Sequence, residues 1–303
     1  VSAAEPAPGH RCGFACLVGR PNAGKSTLTN ALVGTKVAIT SDRPQTTRHA
    51  VRGIVHRPDA QLVLVDTPGL HRPRTLLGER LDDIVRTTLA EVDLVVFCVA
   101  ADAPVGPGDR FVAAELTRLH TPVVAVVTKA DLVPPERLAA QLLAVTALGD
   151  WAEVAPVSAV SGFQLALLAD LLVARLPPGS PLYPEGDLTD EPERVMVAEL
   201  IREAALVGVR EELPHSIAVV VEEMAARPDS PRGLVDIEAI LYVERDSQRA
   251  IVLGTGGERL KRVGTESRRQ IEALLGSPVY LDLRVKVAKD WQRDPRQLRR
   301  LGF

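Results

Sequence analysis

Nine residues near the start of the chain, Gly19-Arg20-Pro21-Asn22-Ala23-Gly24-Lys25-Ser26-Thr27, restrict what it can fold into more than any other feature. They satisfy G-x-x-x-x-G-K-[ST] through Gly19, Gly24, Lys25 and Ser26. The run "GFACLVG" before them reads as a strand and Lys25–Val33 after them as a helix, which is the context the motif requires. Glycines let backbone N–H groups turn inward around phosphates, and the start of a helix adds partial positive charge. In that setting Lys25 is expected to span the β- and γ-phosphates, and Ser26 to ligate Mg²⁺.

Around this loop, short apolar runs alternate with amphipathic stretches. Strands are expected at "VRGIVH", "QLVLVD", "VDLVVFCVA", "PVVAVVT" and "EVAPVSA". Helices are expected over Gly78–Glu91, Gly108–Leu119, Pro135–Leu148 and Gly162–Leu176. Such alternation predicts a mostly parallel, doubly wound sheet with helices on both faces. The expected divisions are a flexible N-terminus over 1–12, an α/β domain over 13–176, a proline-rich linker over 177–190 and a second domain over 191–303.

Four further motifs fall at predicted strand ends or in the loops between them. Asp66-Thr67-Pro68-Gly69 places a carboxylate for the Mg²⁺ shell and a Gly69 N–H for the γ-phosphate. The loop before it carries Thr46 and Thr47, either of which could supply a hydroxyl to the metal. Thr128-Lys129-Ala130-Asp131 offers the Asp131 carboxylate to N1–H and the exocyclic amine of guanine, a donor pair adenine lacks. Ser158-Ala159 offers a backbone N–H to the guanine carbonyl. Each motif is weak alone, but the ordered set is similar to the GTPase domain of the translation-factor-related class. Ras-like members of the wider group place a glutamine after the Gly69 position; here it is Leu70, which cannot orient water, so slow intrinsic turnover is expected.

The second half has a different order of elements, α-β-β-α-α-β, with Gly254-Thr255-Gly256-Gly257 between two predicted helices. The spacing is wrong for a dinucleotide fingerprint, since residue 259 is arginine, and no strand precedes the loop. A helix–GxxG–helix turn in this order predicts an α+β KH domain of type II, whose loop clamps the backbone of about four single-stranded nucleotides. Lys261, Arg262 and Arg268 follow on the second helix and Lys286 lies on the closing strand, all expected to meet RNA. From Asp236 to Phe303 there are 14 Lys+Arg against 10 Asp+Glu, although the whole chain carries a net charge of −3. That basic bias is compatible with a polyanionic partner and equally with ordinary surface variation.

A GTPase domain joined to a C-terminal KH domain resembles the Era family of bacterial GTPases. The resemblance runs from Gly13 to Trp291 and is closest at "GRPNAGKSTLTNALVG", "QTTRH", "DTPGLHRP" and "PVYLDLRVKVAKDW". It implies GTP and GDP as ligands with Mg²⁺, hydrolysis of GTP, and binding to the 3′ end of 16S rRNA during assembly of the 30S subunit. It also implies a cytoplasmic monomer, with peripheral attachment to the inner face of the membrane left open. Related GTPases use an asparagine at the Asn22 position to help bind K⁺ as a catalytic cation, so Lys25, Asn22, Thr47 and Gly69 form the expected catalytic group; Asn22 as a plain turn-former remains the alternative. Two departures stand out: Thr128 where the family usually has asparagine, and Thr255 where it usually has lysine.

Composition excludes several classes. No apolar run approaches the roughly 18–20 residues needed to span a bilayer. The N-terminus lacks the pattern of a signal peptide, and Cys12, Cys16 and Cys98 show neither zinc nor disulfide spacing. Two rivals remain: a nucleotide-gated interaction protein whose KH-like domain docks on protein or membrane, and an adenine-nucleotide enzyme, against which Asp131 and Ser158-Ala159 argue.

Overall fold

The computed structural model describes residues 9–41, 43, 46–70, 73, 75–209, 213–228, 230 and 233–303. Two compact units are present: Val1–Thr40, Thr47–Arg72 and Leu81–Asp190 in the first, and Ser41–Thr46, Pro73–Arg80 and Glu191–Phe303 in the second.

In chain order the elements up to the connection are β1 (Arg11–Val18), α1 (Lys25–Val33), β2 (Val51–Arg57), β3 (Ala60–Asp66), α2 (Leu76–Glu91), β4 (Leu94–Ala100), α3 (Pro107–Leu116), β5 (Val123–Thr128), α4 (Pro135–Thr146), β6 (Glu153–Pro156) and α5 (Leu165–Val173). The sheet has the order β2-β3-β1-β4-β5-β6, parallel throughout except for β2 against β3. Its central strands are continuous apolar runs because both faces are covered. Leu94, Val96 and Cys98 of β4 face a layer with Leu28, Leu168 and Leu172, while Val95, Phe97 and Val99 face one with Val85, Val112 and Val145. The strands' carboxyl ends therefore collect the phosphate loop, Thr67–Leu70, Thr128–Asp131 and the segment after β6 on one edge of the sheet.

The first strand starts earlier than expected, with Arg11 and Cys12 paired to Ala60 and Gln61. The segment over 177–190 is not a free tether. The Cys12 N–H donates to the Pro177 carbonyl at 3.1 Å, the Gly179 N–H to that of His10 at 3.0 Å and the Ile54 N–H to that of Leu188 at 2.9 Å. Buried Gln61 clasps it from below: Oε1 accepts the N–H groups of Leu182 and Tyr183, and Nε2 donates to the Tyr183 carbonyl at 2.8 Å. The strap is thus held both through its carbonyls and through the N–H groups that its non-proline residues keep.

The second unit contains α6 (Glu193–Leu206), α7 (Leu213–Ser216), β7 (Ala218–Ala226), β8 (Val235–Val243), α8 (Asp246–Leu253), α9 (Glu258–Leu275), β9 (Val279–Val287) and α10 (Pro295–Arg300). Its sheet runs β7-β8-β9, with β7 antiparallel and β9 parallel to β8. Ala204, Leu206, Val252 and Val263 of the helices pack on Leu241, Val243 and Val285. Three local features refine the predicted order of elements. Leu213–Ser216 forms a helical turn ahead of β7. The last strand ends at Val287, and Trp291 instead plugs the core, its Nε1–H donating to the Ser216 carbonyl at 3.0 Å. The end of the chain forms α10, capped by Asp294, whose carboxylate accepts the Arg296 and Gln297 N–H groups.

Candidate nucleotide and nucleic-acid sites

Gly19-to-Ser26 forms a close-packed turn between β1 and α1. A Cβ on Gly19 would lie 2.4 Å from the Cys98 carbonyl oxygen, and one on Gly69 would lie 2.8 Å from the Pro21 nitrogen. Only glycine fits at either contact, because the obstructing atoms are backbone. Asn22 has φ of 64° and Gly24 of 81°. No side chain caps α1, so its first N–H groups are available to an anion. Arg20 and Pro21 lead into this turn, the buried Ala23 closes it, and Thr27 sits in the first turn of α1.

Lys25 is buried, with Nζ 3.4 Å from the carbonyls of both Gly19 and Arg20. Asp66 at the end of β3 is wholly buried and gathers two hydroxyls: Ser26 Oγ donates to Oδ2 at 2.6 Å and Thr47 Oγ1 at 3.1 Å. The two hydroxyls are 2.9 Å apart. Thr46 is not part of this cluster, since its hydroxyl donates to the Arg43 carbonyl at 2.7 Å. Burial pushes the Asp66 carboxyl up and the Lys25 ammonium down, each partly offset by the other's charge. A polyanion beside Lys25 and a cation beside Asp66 relieve both penalties. The buried Asp66 Oδ1 has no hydrogen-bond partner, which suits a hard cation with oxygen ligands. Among the described residues no cluster of three His, Cys, Asp or Glu offers another cation site.

The segment after β3 is tied to the phosphate loop. Thr67 Oγ1 donates to the Leu17 carbonyl at 2.7 Å, so that side chain is engaged with β1, and Pro68 is buried. The Leu70 N–H donates to the Gly19 carbonyl at 3.2 Å while its side chain is in the core, away from any water-orienting role. Thr128 braces the phosphate loop: its Oγ1 donates to the Ala23 carbonyl at 2.7 Å.

Lys129 adopts φ of 57° and pairs with Asp102 at 2.9 Å. That turn leaves Asp131 exposed in the short helical turn Ala130–Leu132. The Ala130 N–H donates to the Val157 carbonyl at 3.1 Å, drawing Ser158 and Ala159 up to Asp131. Ser158 Oγ in turn accepts the Ser161 N–H at 3.0 Å and shapes the loop around Ala159.

In the second unit Gly254, Gly256 and Gly257 have φ of 71°, 60° and 80°, which makes a turn between α8 and α9 that glycine adopts without strain. Thr255 and Gly256 are exposed at its tip, and Gly257 leaves the N-terminus of α9 without a side-chain cap. From Gly257 a groove of about 470 Å³ runs between α9 and β9, lined by Leu260, Lys261, Arg268, Tyr280 and Leu283. The loop, Lys261 and Arg268 are thus brought together. Lys286 is not: it lies further along β9 and lines a separate cleft with Glu222, Glu238 and Arg284. Arg262 lies outside the groove lining, beside Arg259.

Arg259 itself was not foreseen as a site residue. Its Nη2 donates to the Ala205 and Val207 carbonyls at 3.1 and 2.8 Å, fastening the loop to the end of α6. A Cβ on Gly254 would lie 2.7 Å from the Arg259 Cβ. Burial, then the Arg262 charge, push the Arg259 guanidinium down. No spacing in the sequence signals a partner more than fifty residues away.

The model of a 50S ribosome-binding GTPase matches residues 14–129, and that of a KH domain matches 212–292. GTPase Era of Streptomyces coelicolor is 69% identical over 311 residues, covering 100% of this chain and 98% of that protein. GTPase Era of Mycobacterium avium is 65% identical over 296 residues, covering 97% and 99%. A crystal structure of Era in complex with MgGDPNP and nucleotides 1506–1542 of 16S ribosomal RNA superposes with a TM-score of 0.93 at 36% identity, over 97% of this chain and 99% of that one. A variant Era of Aquifex aeolicus bound to GDP·AlF4⁻ gives 0.92 at 36% identity, over 96% and 99%. Likeness of this degree, carried through both units and the strap that follows the first, means that the chain belongs to the GTPase Era family and is a GTPase.

Proposed function

We propose that the first unit binds GTP and GDP with Mg²⁺ and selects guanine through Asp131. The second unit clamps single-stranded RNA at Gly254–Gly257, its target being the 3′ end of 16S rRNA in the 30S subunit, and the protein acts in the cytoplasm during assembly of that subunit. The observation that carries the nucleotide half is the meeting of Ser26, Thr47 and the partnerless Asp66 oxygen beside Lys25. These three residues would hold the cation, which neutralises charge developing on the phosphates. Asn22 in its left-handed conformation shapes the turn, and K⁺ beside it is a second, separable role.

For the RNA half, the support is an exposed glycine tip opening onto a groove that carries Lys261 and Arg268. A solved Era relative carries a bound 16S ribosomal RNA fragment, nucleotides 1506–1542, which supports this choice of target.

Two experiments test the reading. Asp131→Asn should move preference from guanine to xanthine nucleotides, because an accepting carboxylate becomes a mixed donor and acceptor; equal GTP and ATP binding by the parent protein would sink the guanine assignment. Asp at both Thr255 and Gly256 should weaken a fluorescent oligonucleotide of the 16S 3′ end by at least about tenfold while nucleotide binding persists. Undiminished RNA binding by that variant would make the loop a plain turn. Binding of the parent to anionic vesicles but not to RNA would favour the membrane-docking rival.

A further inference from the structure

The phosphate loop is fastened to the fold at a point its motif does not specify. The Arg20 side chain leaves the loop, about a third exposed, and places Nε 3.2 Å from Asp109 Oδ1. Asp109 sits in the first turn of α3 and is wholly buried. Its other oxygen reaches back and accepts the N–H of Gly106, the residue before the helix, at 2.9 Å. Arg20 Nε and Asp109 Oδ1 are both buried atoms without a hydrogen-bond partner, so each depends on the opposite charge facing it. The cap alone does not account for this. A cap needs one accepting oxygen, which a neutral asparagine supplies as well, whereas a buried carboxylate carries a desolvation penalty.

What the charge adds is attachment. The main-chain carbonyl of Arg20 accepts the Ala23 N–H at 3.3 Å and lies 3.4 Å from Lys25 Nζ. The side chain of Arg20 is therefore held by α3 while its backbone holds the turn and the lysine. The connection between β4 and α3 also reaches the base end of the site. Asp102 pairs with Lys129 at 2.9 Å, and buried Gln141 donates to the carbonyls of Ala100 and Ala103, both at 3.0 Å. The connection is braced at both ends of the nucleotide site.

We propose that Asp109 is a positioning residue for GTP hydrolysis, acting through Arg20 to hold the phosphate loop in register with Lys25. Displacement of a positioning group by an ångström is enough to slow a reaction severely, so loss of this anchor reads out in the rate of the chemical step.

Asp109→Asn keeps an oxygen for the Gly106 N–H and removes only the charge; Arg20→Ala removes the partner and leaves the cap. Single-turnover GTP hydrolysis is measured on the full chain at saturating nucleotide and Mg²⁺, well below the lowest thermal midpoint among the variants. Loss of folded protein then does not enter the rate. Each single variant should be slower by about tenfold, and the double variant no slower than the worse single, because both remove one interaction. Parental turnover by Asp109→Asn would reduce Asp109 to a helix cap. Losses that multiply in the double variant would show two residues acting separately, and either result overturns the proposal.

Discussion

The molecule has two glycine loops at helix starts, and they are built in opposite ways. The loop over Gly19–Ser26 is enclosed. Thr128 holds its Ala23 carbonyl, Leu70 donates to Gly19, Asp109 pairs with Arg20, and Lys25 lies inside the fold. The loop over Gly254–Gly257 has an exposed tip, and what fixes it lies at its edge, where Arg259 reaches α6. The difference follows from what each must hold. Hydrolysis requires phosphate oxygens and a cation in one geometry, so the loop is braced at several points. A strand of nucleic acid has to enter and leave along an open groove, so its clamp must be shallow and reachable.

The largest expected break in this comparison is Lys25→Ala. Removing the ammonium from the enclosed loop should lower turnover by at least about 10²–10³-fold, with RNA binding by the second unit retained. Phosphate release from GTP, measured beside titration of the RNA oligonucleotide, checks both halves. Comparable losses in the two assays would mean that the loops do not act on separate ligands.

A matched pair of glycine substitutions sharpens it. Gly19→Ala puts a methyl 2.4 Å from the Cys98 carbonyl, which belongs to a buried strand and cannot yield. Nucleotide affinity should fall steeply, by several kcal/mol if β4 does not shift. At Gly256 a Cβ meets nothing within 4 Å, and the cost is only that of a φ of 60° for alanine. That amounts to about 1 kcal/mol, read as a small fall in thermal midpoint with little change in nucleotide affinity. Equal effects from the two would contradict the enclosed-versus-open distinction.

The smallest expected effect is a gain. Thr255→Lys adds one cation at the exposed tip and should tighten RNA binding a few-fold, steepening the salt dependence by about one phosphate contact. Titrations at two salt concentrations measure this. An unchanged slope would place residue 255 away from the RNA backbone.

Parts of both sites were legible because their chemistry is local. A phosphate loop is one contiguous run of backbone, and its glycines, Lys25 and Ser26 are recognisable wherever strand and helix periodicity flank them. The same holds for Asp66 at a strand end and for the glycines between α8 and α9, since turn chemistry depends on a few consecutive φ values. The doubly wound sheet was legible in the continuous apolar runs of β4 and β5, which only burial on both faces explains.

Sequence by itself thus determined the run of strands and helices that frames each site, the two glycine turns and the residue types of the phosphate-loop motif. Tertiary structure alone decided which of them act together. It chose Thr47 over Thr46 for the Asp66 cluster, gave Thr128 a carbonyl to brace, and placed Lys286 in a cleft apart from the groove. It paired Arg20 with Asp109, Arg259 with the end of α6, and Gln61 with a strap some 120 residues later. The reason is physical. Periodicity and turn preference are set by neighbours along the chain, whereas a buried ion pair or carbonyl clasp forms only where packing brings distant groups within about 3 Å and removes the water that would otherwise satisfy them.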